Sequence, residues 1–159
     1  MKIISGHPTH LFHRLVAEGE FRRGVTLGQE MESYLVFLLA RYVTKAEIAV
    51  WDAATAYLDG VLHQRVFRYE KMKETGDACL LLSGLFPERA KKRVSLWYYR
   101  EVGQGAYGQL GADPSCMGAE TFRALAAHFS LLTEVLQSVR HTEGQYILPY
   151  AHTLRHLAS

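Results

Sequence analysis

An all-α fold is what the sequence predicts: a bundle of six or seven helices forming a single domain over residues 1–159. Three observations carry this. Apolar residues recur at helical spacing through most of the chain. No run alternates apolar and polar residues with the period of two that a half-buried strand requires. The breaks between apolar stripes hold helix-boundary residues: Thr-x-x-Gln from Thr26 to Gln29, Thr-x-x-Glu from Thr44 to Glu47, and the prolines Pro8, Pro87, Pro114 and Pro149. A chain of 159 residues is long enough to bury a real core.

Taken in order, the first helix starts at Pro8 and Thr9, with Leu11, Phe12, Leu15 and Val16 on one face and His10, His13 and Arg14 on the other. Gly19 is expected to end it, and residues 20–25 read as a polar loop. The capping box at Thr26–Gln29 opens a second helix with Met31, Tyr34, Leu35, Leu38, Leu39 and Tyr42 on one stripe. A third follows Thr44 and runs to about His63. It is apolar on two sides (Ile48, Trp51, Leu58 and Leu62; Ala49, Val50, Ala53 and Tyr57), which marks a central helix. Residues 65–86 read as one long helix, charged early and apolar late, stopped by Pro87. Residues 88–93 are a basic connector. A helix from Ser95 to Leu110 keeps Leu96, Tyr99, Val102, Gly103, Ala106 and Leu110 on one face, despite three glycines. The cleanest stripe is Phe122, Leu125, Ala126, Phe129, Leu132, Thr133, Leu136 and Val139, predicted as one helix ending at Gly144. Pro149 starts a short last helix.

The balance of 18 basic against 16 acidic residues gives a net charge of +2, too small to argue for nucleic acid. No apolar run reaches the roughly 20 residues of a spanning helix, so no membrane role is expected. The N-terminal residues Met1–Gly6 lack a signal-peptide core, and two widely spaced cysteines, Cys79 and Cys116, read as reduced thiols; the expected location is the cytoplasm. No Gly-x-Ser-x-Gly, phosphate loop or dinucleotide fingerprint is present. The segment Gly103-Gln104-Gly105 follows no strand. Catalysis is not expected, and no cofactor is implied.

Two segments together resemble a family of uncharacterised bacterial helical proteins. They are Gly76-Asp77-x-x-Leu80 with Ser83-Gly84-Leu85-Phe86-Pro87, and Tyr98-Tyr99 with Gly103-x-x-Ala106-Tyr107. The family pattern is Gly-Asp-x-x-Leu, then Gly-Phe-Phe, then Tyr-Tyr and Gly-x-x-Ala-Tyr. With Tyr34-Leu35-x-x-Leu38-Leu39, the similarity spans about half the chain. Leu85 stands where the family has more often an aromatic. The resemblance implies a helical fold and no known activity.

The stretch from Thr75 to Pro87 holds the sharpest candidate. It is apolar enough to be buried, yet it carries Asp77. A charged side chain is rarely buried without a partner. Gly76, Cys79 and Ser83 are small and share a helix side; Gly103 and Ala106 are small on the later helix. The two helices are therefore expected to dock, bringing Asp77 near Tyr98, Tyr99, Arg100 or Tyr107. Asp77 then serves either as a structural hydrogen-bond acceptor or, with Tyr98, Tyr99 and Tyr107, as a ligand site. A second constellation is Asp52, Asp59 and His63 on one helix face, with Glu70, Glu74 and Asp77 on the next. It would suit a metal-binding bundle, although the Glu-x-x-His pairs of di-iron bundles are missing. His7, His10 and His13, and His152 with His156, read as solvated faces; His128 lies at the margin of its stripe. The predicted function is a non-catalytic binding or regulatory module, working through a protein partner, a second copy or a small ligand near Asp77. The alternative is a metal-binding bundle or metalloenzyme using Asp52, Asp59, His63 and Glu74.

Overall fold

The structure, a computed structural model, describes residues 8–42, 65–93 and 95–140. These residues form seven α-helices and no strand. The helices are α1 (Pro8–Arg23), α2 (Gln29–Tyr42), α3 (Arg65–Leu85), α4 (Pro87–Arg93), α5 (Leu96–Ala112), α6 (Ala119–Ala127) and α7 (Phe129–Arg140). The expected helix from Thr44 to His63 and the one after Pro149 lie outside the described residues.

α3 is the centre of the bundle, and the chain is buried continuously from Thr75 in α3 to Pro87 at the start of α4. The helix packs on α5 along one side and on α7 along another. α1 lies across α7 and α2, and α6 rests on α5. Leu80, Leu110, Leu125, Phe129, Leu132 and Leu136 fill the space between them with almost no exposed surface. The small residues act as expected. A Cβ added to Gly103 would stand 2.5 Å from the ring of Phe129 and 2.8 Å from Cys79 Cβ, so the α3–α5 contact exists only because the glycine leaves room.

Several boundaries differ from the sequence reading. α1 does not stop at Gly19 but continues through residues 20–23. Gly19 faces α7, where an added Cβ would lie 2.9 Å from the Val135 carbonyl oxygen, so it is a contact residue. The stop is Gly24, left-handed at φ 66°. Its N–H donates to the Phe21 carbonyl at 3.1 Å and the Val25 N–H to the Glu20 carbonyl at 3.0 Å, which is the Schellman pattern. The capping box at Thr26 does not form. Gly28 adopts φ 86° and its carbonyl takes the Glu32 N–H, so α2 begins at Gln29.

Pro87 ends α3 and also opens α4, because proline fits a first helical position where no N–H is needed. The basic connector is therefore a short helix. The predicted long helix through Phe122 and Val139 is two helices, interrupted at His128 (φ −112°, ψ 22°). The Gln104 side-chain amide donates to the Ala126 carbonyl at 3.2 Å and satisfies a carbonyl near the break. One non-helical residue scarcely disturbs the apolar stripe, which is why the stripe reads as continuous.

Candidate functional site

Asp77 is fully buried, and it is surrounded by donors. Tyr107 of α5 donates its hydroxyl to Asp77 Oδ1 at 2.6 Å. Tyr34 of α2 donates to the same oxygen at 2.6 Å. Lys73, one turn earlier on α3, donates to Oδ2 at 2.9 Å. Distances of this kind belong to charge-assisted hydrogen bonds. Lys73 reaches this carboxylate from the edge of the bundle, its side chain about one-third exposed, and its ammonium also lies 5.5 Å from the centre of the Tyr34 ring.

Aromatic packing holds the hydroxyls in place. The rings of Tyr34 and Tyr107 meet edge-on at 6.1 Å, and Phe122 of α6 stacks on Tyr107 at 5.9 Å while meeting Tyr34 edge-on at 6.0 Å. Gly76 permits the approach: an added Cβ there would lie within 2.8 Å of three Tyr107 ring atoms. Burial pushes the Tyr107 hydroxyl well above its ordinary value, and the Asp77 charge adds to the effect. The neutral phenol is thus held as a donor.

Of the residues named with Asp77 from the sequence, the structure brings in Tyr107 alone. Tyr99 lies on the same face of α5 but eight residues earlier, about 12 Å along a helix axis. It is buried and packs edge-on against Tyr98 at 5.6 Å. Neither donates to Asp77. Tyr34 and Lys73 were missed. Lys73 carries a readable signal, since a Lys four residues before an Asp is an intrahelical pair. Tyr34 carries none, because its place depends on how α2 packs.

The metal constellation is only partly in view. Asp52, Asp59 and His63 lie outside the described residues. Glu74 is exposed, 3.9 Å from Lys71. Among the described residues no group of three or more His, Cys, Asp or Glu side chains is placed to hold a metal ion. His10, His13 and His128 are exposed.

A second polar cluster, unforeseen in the sequence, sits where α1 turns into α2. Extending α1 past Gly19 puts Glu20 inside the fold, largely buried. Its Oε2 accepts the Leu27 N–H at 3.1 Å and closes the turn. Its Oε1 is shielded from solvent and receives no N–H. Burial raises the Glu20 pKa, the Leu27 N–H opposes it, Glu32 of α2 raises it further through its charge and through a hydrogen bond between the two carboxyls, and His13 lowers it more weakly; the net shift is upward. His13 Nε2 in turn stands 3.4 Å from Glu32 Oε1. Glu20 and Glu32 line an open cleft of about 460 Å³ together with Ala17, Phe21, Gly24, Val25 and Thr26.

No family model, no curated protein and no solved structure matches this chain. Among the described residues no helix is long and apolar enough to cross a membrane.

Proposed function

We propose that this chain is a non-catalytic helical binding or regulatory module, and that its ligand contacts lie at the α1–α2 turn rather than at Asp77. The observation that carries this reading is the cleft between Glu20 and Glu32, which joins an apolar wall to two convergent carboxylates. Concave sites with few, well-placed polar groups are the usual form of a small-ligand pocket. Asp77 supports the reading by being spent internally: it is out of reach of solvent and its oxygens already take three donors. It ties α2, α3 and α5 together. The exposed side chains of Phe21, Phe37, Trp97 and Met117 supply further contact points for a protein partner or a second copy. The two free, buried cysteines suit a reducing cytoplasm, and the Gly76–Pro87 and Tyr98–Tyr107 segments suit membership of the bacterial helical family they resemble.

The test is a fragment screen on the full chain, read by amide chemical shifts. Shifts clustering on residues 17–32 support the module reading. Shifts clustering instead on Asp77, Tyr98, Tyr99 and Tyr107 return the site to the α3–α5 contact. Metal analysis of protein purified without a histidine tag addresses the competing class: one equivalent of tightly bound metal would replace the module reading with a metal-binding bundle.

A further inference from the structure

We infer that the surface formed by α4 and the first turn of α5 docks an acidic peptide segment of a partner protein, its carboxylates on the basic residues and an apolar side chain on Trp97. This surface shares no residue with the α1–α2 cleft, so the two readings are independent. Concentrated charge, an exposed aromatic ring and a guanidinium left uncommitted by the fold point to it together.

Five of the chain's 18 basic residues fall between Pro87 and Arg100, with only one of its 16 acidic residues, Glu88. The rest of the chain is net acidic, so the positive charge of the molecule is concentrated here. Four of the five stand in the seven residues of α4, as Arg89, Lys91, Lys92 and Arg93. Ala90 is buried in the core and Lys91 is exposed. Ser95 then caps α5, its side chain accepting the Tyr98 N–H at 3.1 Å, and fixes the passage from α4 into the first turn of α5. That turn presents Trp97, 67% exposed, with the partly exposed Arg100 three residues on along the same side. A tryptophan facing water keeps a large apolar surface hydrated, which an apolar side chain of a partner would cover. Among the described residues Arg100 makes no ion pair, and its Nε has no acceptor, so its charge is not spent within the fold. Trp and Arg are enriched among the few residues that dominate binding at protein interfaces.

The same surface selects a peptide over other anions. Exposed Glu88 and Glu101 flank the basic residues. A peptide can place its acids clear of them, whereas an unbroken phosphate backbone meets them. By its helical rise α4 is about 10 Å long, a footprint for a few extended residues rather than a tract of phosphates. An anionic membrane calls for an apolar face on the basic helix. α4 has none to offer, since Pro87 and Ala90 are both buried.

The experiment titrates the full-length protein with a capped heptapeptide in which glutamates flank a central leucine. Its glutamine isostere, a thymidine oligonucleotide of matching charge and vesicles containing phosphatidylserine are titrated in parallel. The readout is the amides of residues 88–101 and the Trp97 indole N–H. Expected is binding of the glutamate peptide that shifts these signals and weakens with added salt. Trp97→Ala and Lys91→Glu should each weaken it by about tenfold. Arg14→Glu, the same change of net charge as Lys91→Glu but on α1, should leave it unaltered. All three positions are exposed, and thermal melts confirm that the variants are folded. Equal binding of the glutamine peptide overturns the acidic partner. A loss in Arg14→Glu equal to that in Lys91→Glu reduces the contact to net charge and overturns the site. Tighter binding of the oligonucleotide or the vesicles at the same residues assigns the surface to nucleic acid or to a membrane and overturns the peptide. No shift of residues 88–101 by the glutamate peptide overturns the inference outright and leaves the reading of the α1–α2 cleft as it was.

Discussion

Two tyrosine hydroxyls on one oxygen of Asp77 and an ammonium on the other turn a costly buried charge into a tie among three helices. Such a tie punishes the loss of one partner more than it rewards its presence, because the remaining groups are left in the core. Asp77→Asn keeps the shape but removes the charge, and its amide presents a donor where three donors already converge. The expected loss is about 1–3 kcal/mol in urea denaturation. Tyr107→Phe leaves Tyr34 and Lys73 in place and should fall at the lower end of that range; an unchanged denaturation midpoint in both variants would remove the tie from the account. The raised pKa of Tyr107 gives a separate test. A phenol whose folded value lies above its ordinary 10 contributes stability that is full below that value and is lost as pH rises through the folded one. In an alkaline titration followed by tyrosinate absorbance, Tyr107 should therefore ionise only together with unfolding, and Tyr107→Phe should remove one hydroxyl from that late step. An early, reversible ionisation of Tyr107 in folded protein contradicts its burial.

At the scale of the helix, glycines sort by what stands opposite them. Gly76→Ala drives a methyl into the Tyr107 ring, and the cost of overpacking, about 1–3 kcal/mol, outweighs the gain in helix propensity. Gly108, on the same helix as Tyr107, has nothing within 4 Å of an added Cβ, so Gly108→Ala should stabilise by about 0.5–1 kcal/mol. Opposite signs for two Gly→Ala changes in thermal melts check the packing directly. The core makes the matching claim: Phe129→Ala, at a fully buried ring against Gly103, should cost about 3–5 kcal/mol. The small residues Gly76, Gly103 and Ala106 were legible as a docking face because close approach leaves its mark on composition. Tyr107 was legible with them, lying on the docked side of α5. Tyr34 was not, since its reach to Asp77 spans 43 residues and depends on a helix packing that no local pattern encodes. The ends of α1 and α2 misread for a related reason. Gly19 looks like a stop but serves a contact, whereas the true stop, Gly24, is told apart only by its positive φ and the Glu20 and Phe21 carbonyls it lets the chain satisfy. Missing that extension hid Glu20, and with it the cleft.

For the whole molecule, acid stability combines opposing contributions, and Glu20 supplies one that can be isolated. The chain carries eight histidines and a formal charge of +2, so protonation on acidification adds self-repulsion that lowers stability. Glu20 works the other way. Burial and Glu32 raise its pKa above the ordinary 4.5. A carboxyl with a raised folded pKa contributes stability that is fully present below its unfolded value, and this is lost as pH rises through the folded one. Above pH 4.5, then, the Glu20 contribution declines as pH increases, whatever the sign of the total. Gln in its place keeps an acceptor for the Leu27 N–H and offers an amide donor toward Glu32, yet does not titrate. Urea melts of wild type and Glu20→Gln from pH 4.5 to neutrality should accordingly diverge, with the variant gaining relative stability as pH rises. Histidine repulsion acts on both proteins and cancels in the difference. The gain at neutral pH should approach the net value of one hydrogen bond, about 1 kcal/mol. A difference independent of pH would mean that Glu20 titrates alike in the folded and unfolded chain, and that the two carboxyls at the α1–α2 turn do not act on each other.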